Sequence, residues 1–225
     1  MLTNEQTHEK KIIFHPKILP TEVIADPELT IGLPPAMTAG TGMDAFAHCL
    51  EAFCSPHLHP MSNGIALEGM ALVLEYLPKA YADPEDLEAR GQMMIAAAMG
   101  AVAFQKGLGA IHAISHPIGA VHGTHHGTTN AVVMNSVLDF NRLTIEAKVA
   151  RALGYLGIHG GYDGFCDHIR ALNALLGIPP NLTALGVKNP DLELLTEMAL
   201  RDPSVGGNPV EMTFDGTRAL IEACL

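Results

Sequence analysis

The sequence predicts a mainly α-helical, bundle-like domain with a short β piece at its N-terminus. Three observations lead there. Apolar residues recur at helical spacing over most of the chain beyond residue 33, helix-start and helix-stop residues punctuate that pattern, and β-prone tetrapeptides are confined to the first thirty residues. The 225 residues are 48% hydrophobic and 16% charged, which is enough apolar side chain for a full core and too little charge for a disordered chain.

The elements follow in order. Lys11-Ile12-Ile13-Phe14 and Glu22-Val23-Ile24-Ala25 read as two strands, set among prolines 16, 20 and 27. Two strands are marginal alone, so the pair reads as the edge of a larger sheet. A helix is expected over 44–53 with Thr41 as its cap, and a long one over 62–81. Asp83-Pro84-Glu85 is a helix start, opening a segment that runs to Gln105 and stops before Gly107. Further helices are expected over 109–120, 128–140, 145–156, 164–176, 190–201 and 213–224. Thr144 is placed to cap the 145–156 helix, and Gly177 with Pro179-Pro180 ends the 164–176 helix.

Composition removes several function classes. Lys plus Arg is 13 against 24 Asp plus Glu, a net charge of -11, so neither nucleic acid nor an acidic membrane surface is an expected partner. The longest uncharged apolar run, Met93 to Phe104, has 12 residues, short of the roughly 20 that a spanning helix needs. The start, Met1 to Glu5, lacks a basic and apolar signal core. Four cysteines, at 49, 54, 166 and 224, form no C-x-x-C pair. They read as reduced thiols of a cytoplasmic protein.

Histidine is the unusual residue, with 12 in all and five between His112 and His126. Asp44 and His48 are four apart, as are His112 and His116, so on helices each pair projects from one face. Two such faces turned inward converge a carboxylate and several imidazoles. That donor mixture suits a divalent transition metal without thiolate. Three His and one Asp fill four positions and leave another open to water or substrate, as catalytic sites do. His57 and His59 read as a surface turn, and His8, His15, His159 and His168 carry no expected role.

The run from Leu33 to Glu51, containing Pro34-Pro35, Gly40-Thr41-Gly42-Met43-Asp44 and Ala47-His48, resembles a signature of the iron-containing (group III) alcohol dehydrogenases. A second signature runs from Gly107 through His112-Ala113-Ile114-Ser115-His116-Pro117 to His126-Gly127, and Ala25-Asp26-Pro27-Glu28-Leu29 resembles the segment that leads into the family's helical domain. The resemblance covers essentially the whole chain and implies the family's dehydroquinate synthase-like helical domain over 31–225, with 1–30 a remnant of the N-terminal dinucleotide-binding domain. It places the metal ligands on Asp44, His48, His112 and His126, the family's spacing of fourteen selecting His126 over His125. It makes His116 the histidine beside nicotinamide and substrate, with a catalytic and a cofactor-binding role. Lys10 matches a lysine that approaches the cofactor, with Lys11 the alternative for that place.

The activity implied is hydride transfer between a primary alcohol or aldehyde and NAD(P), with Fe2+ as the usual metal and Zn2+ a frequent substitute. A homo-oligomer, dimer or larger, is expected. One departure matters: the family's glycine-rich dinucleotide loop has no counterpart here. Gly107-x-Gly109-x-x-His112 lacks the third glycine and follows a helix. The 225 residues are therefore expected to bind NAD(P) weakly or not at all. A metal-dependent hydrolase and a non-catalytic metal-binding helical module are the competing readings.

Overall fold

The structure is a computed structural model that describes Ile13, residues 15–225 and, as backbone, Leu2–Thr3 and Lys10–Lys11. Leu2–Thr3 (β1) pairs antiparallel with Lys10–Lys11 (β2), Leu2 opposite Lys11 and Thr3 opposite Lys10. The strand expected at 11–14 thus starts one residue earlier and pairs with residues before it; Ile12 and Phe14, like His8, lie outside the described residues. Residues 22–25 form no strand, and Val23 and Ile24 are exposed. Proline lacks the N–H a ladder requires, and Asp26-Pro27 instead opens a 3-10 turn, Pro27–Thr30, in which the Asp26 side chain accepts from the Glu28 N–H.

The remainder is helical: α1 Pro35–Cys54, α2 Pro60–Ala82, α3 Leu87–Ala103, α4 Ala110–His122, α5 His126–Leu156, α6 Gly161–Leu175, α7 Leu182–Leu185, α8 Leu192–Arg201 and α9 Phe214–Ala223. α1 starts at the Pro34-Pro35 pair, nine residues before the expected start. Thr41 lies inside it, its hydroxyl donating to the Met37 carbonyl instead of capping. α2 is capped by His59, whose Nδ1 accepts from the Ser62 N–H, so this histidine is more than a turn residue. Asp83 closes a turn onto Glu85, and Asp86 caps α3 by accepting from the Ala89 N–H.

The helices expected at 128–140 and 145–156 are one, the 31-residue α5. A buried stripe of Leu138, Asn141, Ile145, Val149 and Ala152 runs unbroken along it at helical spacing. The polar Asn141 hides that stripe in the sequence. Its amide is satisfied by a reciprocal pair with Asn208, 2.9 Å in each direction, so the helix has no reason to stop.

α1 is the central element, packed against α2, α3 and α5. α5 also packs on α4 and α6, and β2 lies beside α4. α1 and α5 cross at a pair of glycines: a Cβ on Gly127 would collide with the Gly40 carbonyl. Any larger residue would push apart the two helices that carry Asp44 and His126. The far end of α1 is closed by a buried lysine. Lys106 donates to the carbonyls of Ala52 (2.7 Å), Phe53 (3.1 Å) and Ser55 (2.8 Å), matching a cation to the negative end of the helix and to acceptors the helix leaves unpaired.

Candidate metal centre

Three chain segments meet at the site, where His112 is buried and Asp44, His48 and His126 are half-buried. On α1, Asp44, His48 and Glu51 stand at i, i+4 and i+7 and share one face. On α4, His112 and His116 are one turn apart, and the helix is buried from Ala110 to Ile118. The third segment is the start of α5. Gly123, left-handed at φ 69°, ends α4, and the chain turns directly into α5. His125 is the cap of α5: its Nδ1 accepts from the Thr128 N–H and lies 2.9 Å from the Thr128 hydroxyl. His126 is therefore the one of the two that faces inward.

Asp44 Oδ1 is the hub. His112 Nε2 lies 3.5 Å from it, His126 Nε2 3.5 Å and His48 Nε2 3.7 Å. Around a tetrahedral ion with bonds of about 2.0–2.1 Å, ligand atoms stand about 3.3–3.4 Å from one another. The three distances from Asp44 are close to that value, and His126 joins the group through Asp44. Ligand atoms of Asp44, His48 and His112 also lie within 4.8 Å of one another. Asn130, one turn beyond His126, points its amide nitrogen into the same space, 2.7 Å from Asp44 Oδ1 and 3.3 Å from both His112 Nε2 and His126 Nε2. Polar side chains of α1, α4 and α5 thus converge on one small volume.

The electrostatics agree with that arrangement. Burial pushes the Asp44 carboxyl up, but the hydrogen bond to His112 and the surrounding imidazoles outweigh it and hold the group ionised, well below the usual carboxylate range. Burial lowers His48 to about 4 despite the attraction of Asp44, keeping it neutral and able to ligate at neutral pH. Burial opposes protonation of His112 too, yet the carboxylates of Glu51 and Asp44 raise it to about 9, so a metal must displace a proton there.

His116 is turned differently. Its ring stacks on His126 at 5.1 Å, and its Nδ1 lies 2.7 Å from Asp202 Oδ2. Asp202 ends α8, and its other oxygen accepts from the Ser204 N–H at 2.8 Å. Burial raises the Asp202 carboxyl, but the His116 hydrogen bond wins and keeps it lowered. Lys10 belongs to β2, which runs beside α4; its side chain lies outside the described residues.

The residues that sequence reasoning did not single out are Glu51, Asn130 and Asp202. Glu51 and Asn130 had a visible signal, at i+3 from His48 and i+4 from His126. Asp202 is 86 positions from His116 and had none.

The profile described as Fe-containing alcohol dehydrogenase family, C-terminal, matches residues 38–225. 4-Hydroxybutyrate dehydrogenase of Cupriavidus necator is 39% identical over 95% of this chain and 58% of its own length. NAD-dependent methanol dehydrogenase of Bacillus methanolicus is 36% identical over 100% of this chain and 61% of its own. A crystal structure of 1,3-propanediol oxidoreductase superposes with a TM-score of 0.85 at 32% identity, over 89% of this chain and 55% of that one. The chain belongs to the Fe-containing alcohol dehydrogenase family and comprises its all-α C-terminal domain. It spans about three-fifths of the length of the curated relatives it matches. No single helix among the described residues is long and apolar enough to cross a membrane.

Proposed function

We propose that this chain supplies the metal-binding half of an NAD(P)-dependent alcohol dehydrogenase acting on a small primary alcohol or its aldehyde. The observation that supports this most directly is the single Asp44 oxygen with three imidazole nitrogens 3.5–3.7 Å around it. In this reading Asp44, His48, His112 and His126 hold one Fe2+, with Zn2+ the alternative. Residues 31–225 form the catalytic domain, and residues 1–30 are a remnant of an N-terminal dinucleotide-binding domain. The bound ion supplies a Lewis acid that lowers the pKa of the alcohol hydroxyl and polarises the aldehyde carbonyl.

The chain's own residues do the rest. His116 Nδ1–H donates a hydrogen bond to the Asp202 carboxylate, which leaves the ring's lone pair at Nε2. That atom is the one to accept the hydroxyl proton of an alcohol and return it to the product of the reverse reaction. Nearly complete burial of His112, Ser115 and His116 excludes bulk water from this side of the site. Lys10, on the strand beside α4, is the candidate to approach the cofactor.

The test uses Co2+, whose visible absorption reports its surroundings. The cobalt-loaded chain, titrated with a primary alcohol, is expected to show a saturable spectral change. His116→Ala should keep the cobalt and alter the response. Full loading with no response to any short primary alcohol or aldehyde would contradict the substrate class.

A further inference from the structure

We infer that Glu51 is a positioning residue that forces His112 to present Nε2, and only Nε2, to the metal. The inference rests on the proposed metal reading and deepens it.

Glu51 is buried, and both of its oxygens are committed. Oε1 accepts from the Ile111 N–H at 2.6 Å, and Oε2 lies 2.6 Å from His112 Nδ1. The first contact caps α4 from outside. Gly109, the residue before α4, has no side chain with which to cap. A Cβ there would stand 2.8 Å from Asn208 Oδ1 and 3.1 Å from Glu51 Oε1, so its absence admits the two groups that do the capping. Asn208 Oδ1 accepts from the Ala110 N–H at 3.1 Å, and Glu51 takes the next N–H. A carboxylate is well suited there, since the start of a helix carries partial positive charge.

The second contact decides chemistry. An ionised carboxylate only accepts hydrogen bonds, so His112 Nδ1 must carry a proton, and the neutral ring then has its lone pair on Nε2. That is the nitrogen 3.5 Å from Asp44 Oδ1, on the metal side. A carboxylate behind a ligating imidazole also raises its basicity and fixes the ring plane. One side chain thus sets the angle of α4, the rotation of the His112 ring and the place of its proton.

Glu51→Gln separates this role from simple packing because it preserves size and shape. Gln has one acceptor and one donor end. If its oxygen keeps the Ile111 N–H, its NH2 faces His112 Nδ1 and draws out a lone pair there. The proton then moves to Nε2, where the metal must bind. Turning the amide over sets its NH2 against the Ile111 N–H, donor against donor. Neither arrangement satisfies both sites.

The experiment measures Zn2+ affinity by chelator competition for the wild-type chain, Glu51→Gln and Glu51→Asp. Alongside it, 15N–1H correlation spectra of the metal-free histidines are recorded at a pH high enough that their 15N shifts show the rings neutral. Glu51→Gln is expected to keep its helical circular dichroism, bind Zn2+ about 10–100-fold more weakly and shift the His112 proton from Nδ1 to Nε2. Glu51→Asp keeps two acceptors on a shorter stem and is expected to fall between. Retention of the Nδ1–H form in Glu51→Gln, or Zn2+ affinity within a factor of about two of wild type, would overturn the inference. Failure of the wild-type chain to bind any metal would sink the proposed function instead, while the metal-free spectra still decide what Glu51 does.

Discussion

At the scale of single residues, the site depends on which histidine is already employed elsewhere. His125 and His126 are chemically alike and adjacent, but His125 spends its Nδ1 on the Thr128 N–H as a helix cap. His126→Ala is expected to weaken metal binding by more than about 100-fold, whereas His125→Ala should leave most of the affinity and cost about 1 kcal/mol of stability through the lost cap. Metal titrations and thermal melts of the two variants check this; the opposite ranking would mean that the inward-facing histidine is misassigned. The pairs Asp44–His48 and His112–His116 were legible because a helix stacks residues four apart. Glu51 lies on the same face, yet a helical carboxylate is ordinarily solvated, and nothing local announces that the start of α4 will arrive against it. Asp202 reaches His116 only through the folding of α8 onto α4, which no short-range pattern encodes.

At the scale of elements, two contacts hold the frame of the site. The first is the Gly40–Gly127 crossing of α1 and α5. Gly127→Ala sets a methyl against a backbone carbonyl that cannot step aside, so the helices must separate. About 1–3 kcal/mol of stability should be lost. Metal affinity should fall with it, because Asp44 and His126 ride on the two helices. A Gly127→Ala chain with unchanged melting and metal affinity would contradict this account of the crossing. The second is Lys106. Lys106→Met removes three hydrogen bonds at the end of α1 and leaves the Ala52 and Phe53 carbonyls buried without that donor, while Ser55 keeps Lys148, costing about 2–3 kcal/mol, or roughly 5–10 °C in Tm. An unshifted Tm would show that water replaces the lysine. Helix existence was readable from periodicity and caps, but helix limits were less so. Asn141 concealed the continuity of α5 because its partner Asn208 lies 67 residues away. The expected 22–25 strand failed because β propensity counts only where a partner strand supplies the ladder.

At the scale of the molecule, the proposal gives the helical domain one wall of a dinucleotide site. A pyrophosphate is held by the amides of a glycine-rich strand–loop–helix turn, and no such unit occurs among the described residues. Several phosphate hydrogen bonds, each worth about 1.5–3 kcal/mol, separate micromolar affinity from almost none. The 225-residue chain is expected to bind NAD(H) and NADP(H) more weakly than about 1 mM by calorimetry; micromolar binding would reveal a cofactor site in the helical domain. Everything else rests on the metal. The most direct measurement is elemental analysis of the purified chain after reconstitution with Fe2+ or Zn2+ and removal of excess ion. One ion per chain, lost in the His126→Ala variant, is the predicted result. A wild-type chain that retains less than a few tenths of an ion under saturating metal would contradict the proposal that Asp44 and the three histidines form a metal centre.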